Sequence, residues 1–485
     1  SIRLSRASRT MLLSSALKFG SRVGAKPASA SMAVRAMGTF HYPSHVLNAP
    51  ATEISKLSNG LRVATETKHG ETATVGVFID TGSRYETAQN NGVAHFLEHM
   101  AFKGTNKRSQ QQLEVEIENM GAHLNAYTSR EHTVYYAKVF KDDVPRAVEM
   151  LSDILLNSKF DAGAVERERG VILRESEEVA GMKEEVLFDL LHEAAFDGTG
   201  LGRTILGPEA NVRRITRDDL TAFVRAHYVA PRMVVAGAGA VTQEQLSALA
   251  QEHFGGVPSS APEGAASVDR SKPRFTGSDC LLRNDDEEVA HMAVAFEGAS
   301  WTSPLHVPLM VMQSILGSWD SGLAASKNSA SRLVQSVAES GVARSVSSFN
   351  TSYNDTGLFG VCASGDKHSL NDLSYAIMDN LVRLCHNVTD EEVQRARTQL
   401  KSTLLAHLDD TSAICEDIGR SVLTIGRRPS PAELFARIDD VNTDTVKAVA
   451  HQIINDKEVA VAGAGPIHEL PDMNWFRRHT YWLRY

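Results

Sequence analysis

His95-Phe96-Leu97-Glu98-His99 sets two imidazoles four residues apart, with a carboxylate three residues after the first. On an α-helix, positions i, i+3 and i+4 share one face, so all three side chains point into one space. Two neutral imidazole nitrogens suit Zn²⁺, and a third protein ligand with one coordination position left open completes a catalytic centre. The remaining carboxylate is then free to handle the protons of an activated water. A helix with two histidines and a glutamate on its surface would show the same five letters. The motif therefore needs support from a second element.

The candidate element is Val165-Glu166-Arg167-Glu168-Arg169-Gly170-Val171-Ile172-Leu173-Arg174-Glu175, a charged helix with an apolar stripe. Glu168 and Glu175 are two turns apart and lie on one face, so either could reach inward as the third ligand. Most Glu/Arg runs are solvated, salt-bridged helix faces. The residues alone leave Glu168 and Glu175 as alternatives.

The elements that must position these groups can be read from periodicity and turn signals. Leu57-Ser58-Asn59-Gly60-Leu61-Arg62-Val63 predicts a hairpin around a tight Asn-Gly turn. Ala73–Thr81 is rich in β-forming residues, and Asn91–Phe102 is the motif helix. Ser109–Met120 reads as a helix closed by Gly121, and His123–Val139 as a pair of strands rich in Tyr, Thr and Val. Helices are expected over 143–156, 163–179, 183–196 and 216–227, followed by a small-residue strand, Val234–Gly239.

The chain then repeats itself. Val234–Gly239 recurs as Val459–Gly465, Ile215-Thr216-Arg217-Asp218 as Val441-Asn442-Thr443-Asp444, and Val165–Arg169 as Val393–Arg397. Agreement in order and offset argues for two similarly folded halves. The expected fold is α+β: two homologous α/β-sandwich halves with largely antiparallel sheets, joined by a linker. The divisions read from the sequence are a basic arm over 1–50, a metal-bearing half over 51–255, a Gly/Pro/Ser/Ala-rich linker over 256–275, and a second half over 276–485. The second half lacks the chemistry. Leu309–Ile315 holds no H-x-x-E-H, and Glu175 corresponds to Thr403.

Composition narrows the class. At 485 residues, 42% hydrophobic and 22% charged, the chain has the make-up of a multidomain globular protein. No run of about 18 apolar residues is present. Cys280, Cys362, Cys385 and Cys415 have no C-x-x-C spacing and read as free thiols. Residues 1–50 carry seven basic residues and no acidic ones, which is the composition of a mitochondrial transit segment; it is read here as a retained basic arm. The remainder has 43 basic against 59 acidic residues, a balance that suits a basic partner and not a nucleic acid.

Several stretches taken together resemble the pitrilysin-type inverzincin peptidases, and within them the mitochondrial presequence-processing branch. They are Gly92–Thr105, His123–Glu131, Val171–Glu175 and Tyr481–Tyr485. The resemblance spans roughly residues 50–485. It implies one Zn²⁺ per chain held by His95, His99 and Glu175, with Glu98 as general base and Glu168 as a supporting carboxylate. It implies that Glu185 and Asp189 cradle an arginine of the substrate; without it, this i, i+4 pair reads as a solvated face. It implies a pocket at Phe102 for the residue after the cut, an edge strand carrying Asn125 and Tyr127 that holds the substrate extended, and a part for Tyr353 in stabilising the oxyanion. The partners implied are a homologous α subunit and presequence peptides in the mitochondrial matrix. Relatives also serve as core proteins of respiratory complex III at the inner membrane, so complex III subunits are expected partners too. A structural core protein with little or no peptidase activity is the alternative reading, and a free-standing oligopeptidase a further one.

Overall fold

The computed structural model describes residues 42–265, 268–322 and 328–481. Most of the basic arm, and Trp482–Tyr485 of the last family-like stretch, lie outside the described residues. Two six-stranded sheets form the frame. The first comprises β1 (Glu53–Lys56), β2 (Arg62–Thr67), β3 (Thr72–Ile79), β4 (His123–Thr128), β5 (Thr133–Phe140) and β6 (Met233–Gly239), in the order β1-β2-β6-β3-β5-β4. The second comprises β7 (Asp279–Arg283), β8 (Val289–Glu297), β9 (Ser318–Asp320), β10 (Ser345–Ser352), β11 (Gly357–Asp366) and β12 (Ala460–Gly465), in the order β7-β12-β8-β11-β10-β9. All neighbours are antiparallel except β2 with β6 and β7 with β12. The architecture is α+β in two similar halves, as the internal repeat predicts.

Local sequence explains the elements. The first hairpin pairs Lys56 with Arg62, so its connection is wider than a two-residue Asn-Gly turn. Gly60 takes φ +97°, and the Asn59 amide donates to the Phe254 and Val257 carbonyls at 2.9 and 3.2 Å. Asn59 is thus spent pinning the turn to a distant helix end. Ser109 caps the helix Gln110–Asn119 through a reciprocal bond with Gln112. Thr216 and Asn442 cap the two copies of the repeated helix, Arg217–His227 and Thr443–Ile453.

In β3 every residue from Ala73 to Phe78 is buried, because both faces of the sheet are covered. Val75, Val77 and Ile79 join Ala147, Leu151, Leu246 and Phe254 on one face. On the other face Phe78, Ala64, Val134, Val234, Ala236 and Ala238 meet Ile414, Cys415, Ile418 and Val422. Those last four belong to Thr411–Ile425, a helix of the second half. The second sheet is covered in the same way by a helix of the first half: Leu187, Leu191 and Ala194 of Lys183–Ala195 pack on Ala293, Ala295, Ala460 and Ala462. Each half thus lends one helix to the other's sheet. The small residues of β6 and β12 let these crossing helices approach closely. At Gly419 the approach is so tight that a Cβ would fall 2.2 Å from the Phe78 ring.

A buried ion network ties the halves together. Arg84 donates to Glu131 at 2.5 Å and to both Asp355 oxygens at 2.9 and 2.5 Å. Glu131 in turn accepts the backbone N–H of Asn354. Arg84 also donates to the Ser271 carbonyl at 3.3 Å, so both halves and the segment between them meet at one guanidinium.

Candidate active site

The motif helix, Val93–Ala101, is buried on every side. Its N-cap, Gly92, sits at φ +103° and offers no side chain to the free N–H groups; a Cβ there would lie 2.6 Å from the Leu206 carbonyl. Glu86 supplies the cap from outside the helix. One of its oxygens accepts the Ala94 N–H at 2.7 Å; the other accepts the Gly92 N–H at 2.9 Å and the Asn91 amide at 2.7 Å. Burial pushes the Glu86 carboxyl up to about 7, and the same hydrogen bonds hold it from rising further. Sequence reasoning missed Glu86, because a helix-capping acid is expected next to the first turn and this one lies six residues before Gly92.

The helix presents His95 and His99 to the charged helix Ala162–Ala180. Glu175 Oε2 lies 3.1 Å from His99 Nε2 and 3.7 Å from His95 Nε2. One donor atom from each of the three residues falls within 4.8 Å of the others. His95 Nδ1, His99 Nε2 and Glu175 Oε2 are all buried without a hydrogen-bond partner among the described residues. Of these, His99 Nε2 and Glu175 Oε2 face one another, with His95 Nε2 beside them; leaving such buried atoms without a hydrogen-bond partner is costly, and a shared cation would satisfy them. The set of two imidazoles and a carboxylate fits a divalent metal of the zinc class.

Electrostatics agrees. Burial, and then the neighbouring His99, push His95 down to about 4, so it is a neutral donor. At His99 burial is outweighed by the neighbouring carboxylates of Glu168 and Glu175, which lift it to about 9. Glu175 is drawn below the usual carboxylate range by His99 despite its burial. The cluster is built to hold positive charge. Glu168 touches the other side of the His99 ring, with Oε2 3.4 Å from Nδ1, while its Oε1 meets Lys103 at 2.8 Å. A carboxylate on the far nitrogen fixes the ring's tautomer and turns Nε2 toward Glu175.

Glu98 is buried between the motif helix and β4. Burial pushes its carboxyl up, and the Thr128 side chain and backbone partly oppose this. A buried carboxyl raised in this way is suited to taking and returning a proton.

The remaining sequence-predicted residues fall on surrounding elements. Among the described residues β4 is an edge strand, open on one side. On it the Asn125 amide donates to the Tyr136 hydroxyl at 3.1 Å, and the Tyr127 hydroxyl donates to Glu416 on the crossing helix Thr411–Ile425 at 3.4 Å. Phe102 closes the motif helix, half-buried, its ring 6.4 Å from that of Tyr135. Glu185 and Asp189 are half-buried on the other crossing helix, Lys183–Ala195. Asp189 accepts Arg130 at 2.6 Å. Tyr353 is buried at the junction of the halves, its hydroxyl 2.6 Å from His192 Nε2. His192 Nδ1 donates to the Phe188 carbonyl at 2.6 Å, so Nε2 is the acceptor of that hydroxyl. Burial drives this imidazole well below its ordinary range, consistent with the neutral form.

Comparison with known proteins places these features in context. The family described as "Insulinase (Peptidase family M16)" matches residues 62–209, and "Peptidase M16 inactive domain" matches residues 214–400. The "Probable mitochondrial-processing peptidase subunit beta, mitochondrial" of Arabidopsis thaliana is 54% identical over 443 residues, covering 91% of this chain and 83% of that protein. The "Mitochondrial-processing peptidase subunit beta" of Lentinula edodes is 50% identical over 454 residues, covering 93% of this chain and 97% of its own. Among solved structures, a chain of "Complex III2 from Candida albicans, Inz-5 bound" superposes with a TM-score of 0.78 at 25% identity, over 89% of this chain and 100% of that one.

Proposed function

The chain belongs to peptidase family M16 and is a metallopeptidase, and from that premise we propose that it is the zinc-bearing subunit of a two-chain mitochondrial enzyme that removes N-terminal presequences from imported precursors. The observation that carries this reading is the meeting of His95, His99 and Glu175 around unpaired, buried donor atoms. In this reading the half over 51–255 carries the chemistry, 256–275 is the linker, and 276–485 supplies shape. A homologous α subunit closes the chamber, and the chain also serves as a core subunit of complex III on the matrix side of the inner membrane. The likeness to a complex III chain supports that second role.

His95, His99 and Glu175 would hold the Zn²⁺. When bound, the ion polarises the scissile carbonyl and lowers the pKa of a water toward ~7. Glu98 takes the water's proton on its carboxylate and delivers it to the departing amine. Glu168 keeps His99 in the tautomer that presents Nε2. The substrate lies along the open edge of β4, past Asn125 and Tyr127, held by backbone hydrogen bonds as an added strand. Phe102 lines the space for the residue after the cut. Glu185 and Asp189 receive a basic side chain before it. Tyr353 reaches the oxyanion only if its hydroxyl leaves His192.

The test is cleavage of a basic presequence peptide by the purified chain with its α subunit. Activity is expected to vanish with chelator, return with added Zn²⁺, and fall by orders of magnitude in Glu98→Gln. A zinc-loaded heterodimer that never cleaves would overturn the enzyme reading and leave the structural core role.

A further inference from the structure

A second cluster of two imidazoles and a carboxylate lies on the other half. The turn between β11 and the helix Leu370–His386 carries His368, and the turn leaving β12 carries His468 and Glu469. His368 Nδ1 is 3.0 Å from Glu469 Oε1, and His468 Nε2 is 3.8 Å from that same oxygen. The two rings meet edge to face with centroids 5.6 Å apart. One donor atom from each residue lies within 4.8 Å of the other two, as in the group of His95, His99 and Glu175.

Both turns are held by their own bonds, so the convergence is built into the backbone. Asp366 Oδ1 accepts the His368 N–H at 3.0 Å, and the Ser369 hydroxyl donates to the Val342 carbonyl at 2.7 Å. On the other turn Gly465 sits at φ +92°, where a Cβ would fall 2.7 Å from the Val289 carbonyl. The Ile467 N–H then bonds the Gly465 carbonyl at 2.9 Å, and the Ile467 side chain is buried in the core. Neither turn needs to move for the three donors to share one ion.

The donors set the class of ion. Imidazole nitrogens favour zinc, nickel and copper over magnesium and calcium, which take oxygen ligands. The group stands in solvent, unlike the buried one on the motif helix, so water can fill the remaining positions and exchange is easy.

We propose that His368, His468 and Glu469 form a second, peripheral site for a divalent transition-metal ion, which ties the turn after β11 to the exit of β12. An ion bound there adds to the stability of the folded state in proportion to the logarithm of its concentration. The chain therefore takes up two ions when the metal is abundant and one when it is scarce.

The experiment is a titration of the zinc-loaded full-length protein, with its α subunit, using NiCl₂ and CuCl₂, followed by calorimetry and by metal analysis after gel filtration. The expected result is one further equivalent per chain. His368→Ala, His468→Ala and Glu469→Gln should each lose that equivalent, with peptide cleavage at limiting zinc unchanged. In the Cu²⁺-loaded wild type, nitrogen hyperfine coupling should be visible and should vanish in the His368→Ala, His468→Ala double variant. Absence of a further equivalent in the wild type, or its persistence in all three variants, overturns the site.

Discussion

Glu98 and Glu175 both stand beside His99, yet their surroundings push them in opposite directions. Burial raises Glu98, whereas His99 draws Glu175 down. On the proposed mechanism, two carboxylates driven apart in this way divide the labour, one to move protons and one to stay anionic. Glu98→Gln should therefore keep its metal while losing roughly 10²–10⁴-fold in turnover, checked by metal analysis beside a peptide assay. His95→Ala and His99→Ala should lose both. For Glu168→Gln the expectation is a loss of about 10–100-fold in metal affinity or activity, read from chelator competition. His227 offers a pH test away from the site. Burial, and then Arg232, push its pKa down to about 3, and Nδ1 accepts Arg232 at 2.9 Å. The folded state thus binds fewer protons than the unfolded one between about 3 and 6.5, so stability falls as pH drops through that window. Urea midpoints from pH 7.5 to 5 should fall less steeply in His227→Gln than in the wild type. At this scale the sequence was partly legible. H-x-x-E-H declared itself through fixed spacing. The choice between Glu168 and Glu175 did not, since both lie on one helix face and only their distances to opposite nitrogens of His99 tell them apart.

Among the elements, those with a local cause were readable and those with a distant cause were not. The caps at Ser109 and Thr216 and the run of β-forming residues in β3 are written in neighbouring letters. The insertion of β6 between β2 and β3 is not, because it pairs residues far apart in the chain. Nor is the capping of the motif helix by Glu86. Both Glu86 oxygens accept N–H donors, so Glu86→Gln turns an amide N–H₂ toward one of them. The expected cost is about 1–3 kcal/mol in denaturant unfolding, with weaker metal retention because His95 lies in the first turn of that helix. Gly419 marks where the crossing helix Thr411–Ile425 touches the first sheet. Gly419→Ala forces the Phe78 ring aside, and a loss of roughly 1–3 kcal/mol is expected; an unchanged midpoint would contradict so close a contact.

Across the whole molecule, the internal repeat announced two halves, and the sheets follow it closely. How the halves are joined was hidden, since Arg84, Glu131 and Asp355 carry no motif. Arg84→Met strands Glu131 without its charge partner at a site only 2% exposed. Breaking such a pair costs roughly 3–5 kcal/mol. Thermal unfolding of the variant should start earlier and split into two transitions, where the wild type gives one. The exchanged helices have a consequence for the order in which the chain is made. When β6 has been synthesised the first sheet has all its strands, but Ala64, Phe78, Val134, Ala236 and Ala238 are still bare. Their cover, Thr411–Ile425, comes near the end of synthesis. From the completion of β6 until Thr411–Ile425 is made, the nascent amino-terminal half thus carries an uncovered greasy patch, a natural docking point for a chaperone. Ribosome-bound chains stopped before residue 411 should be cut by protease where the finished protein is resistant.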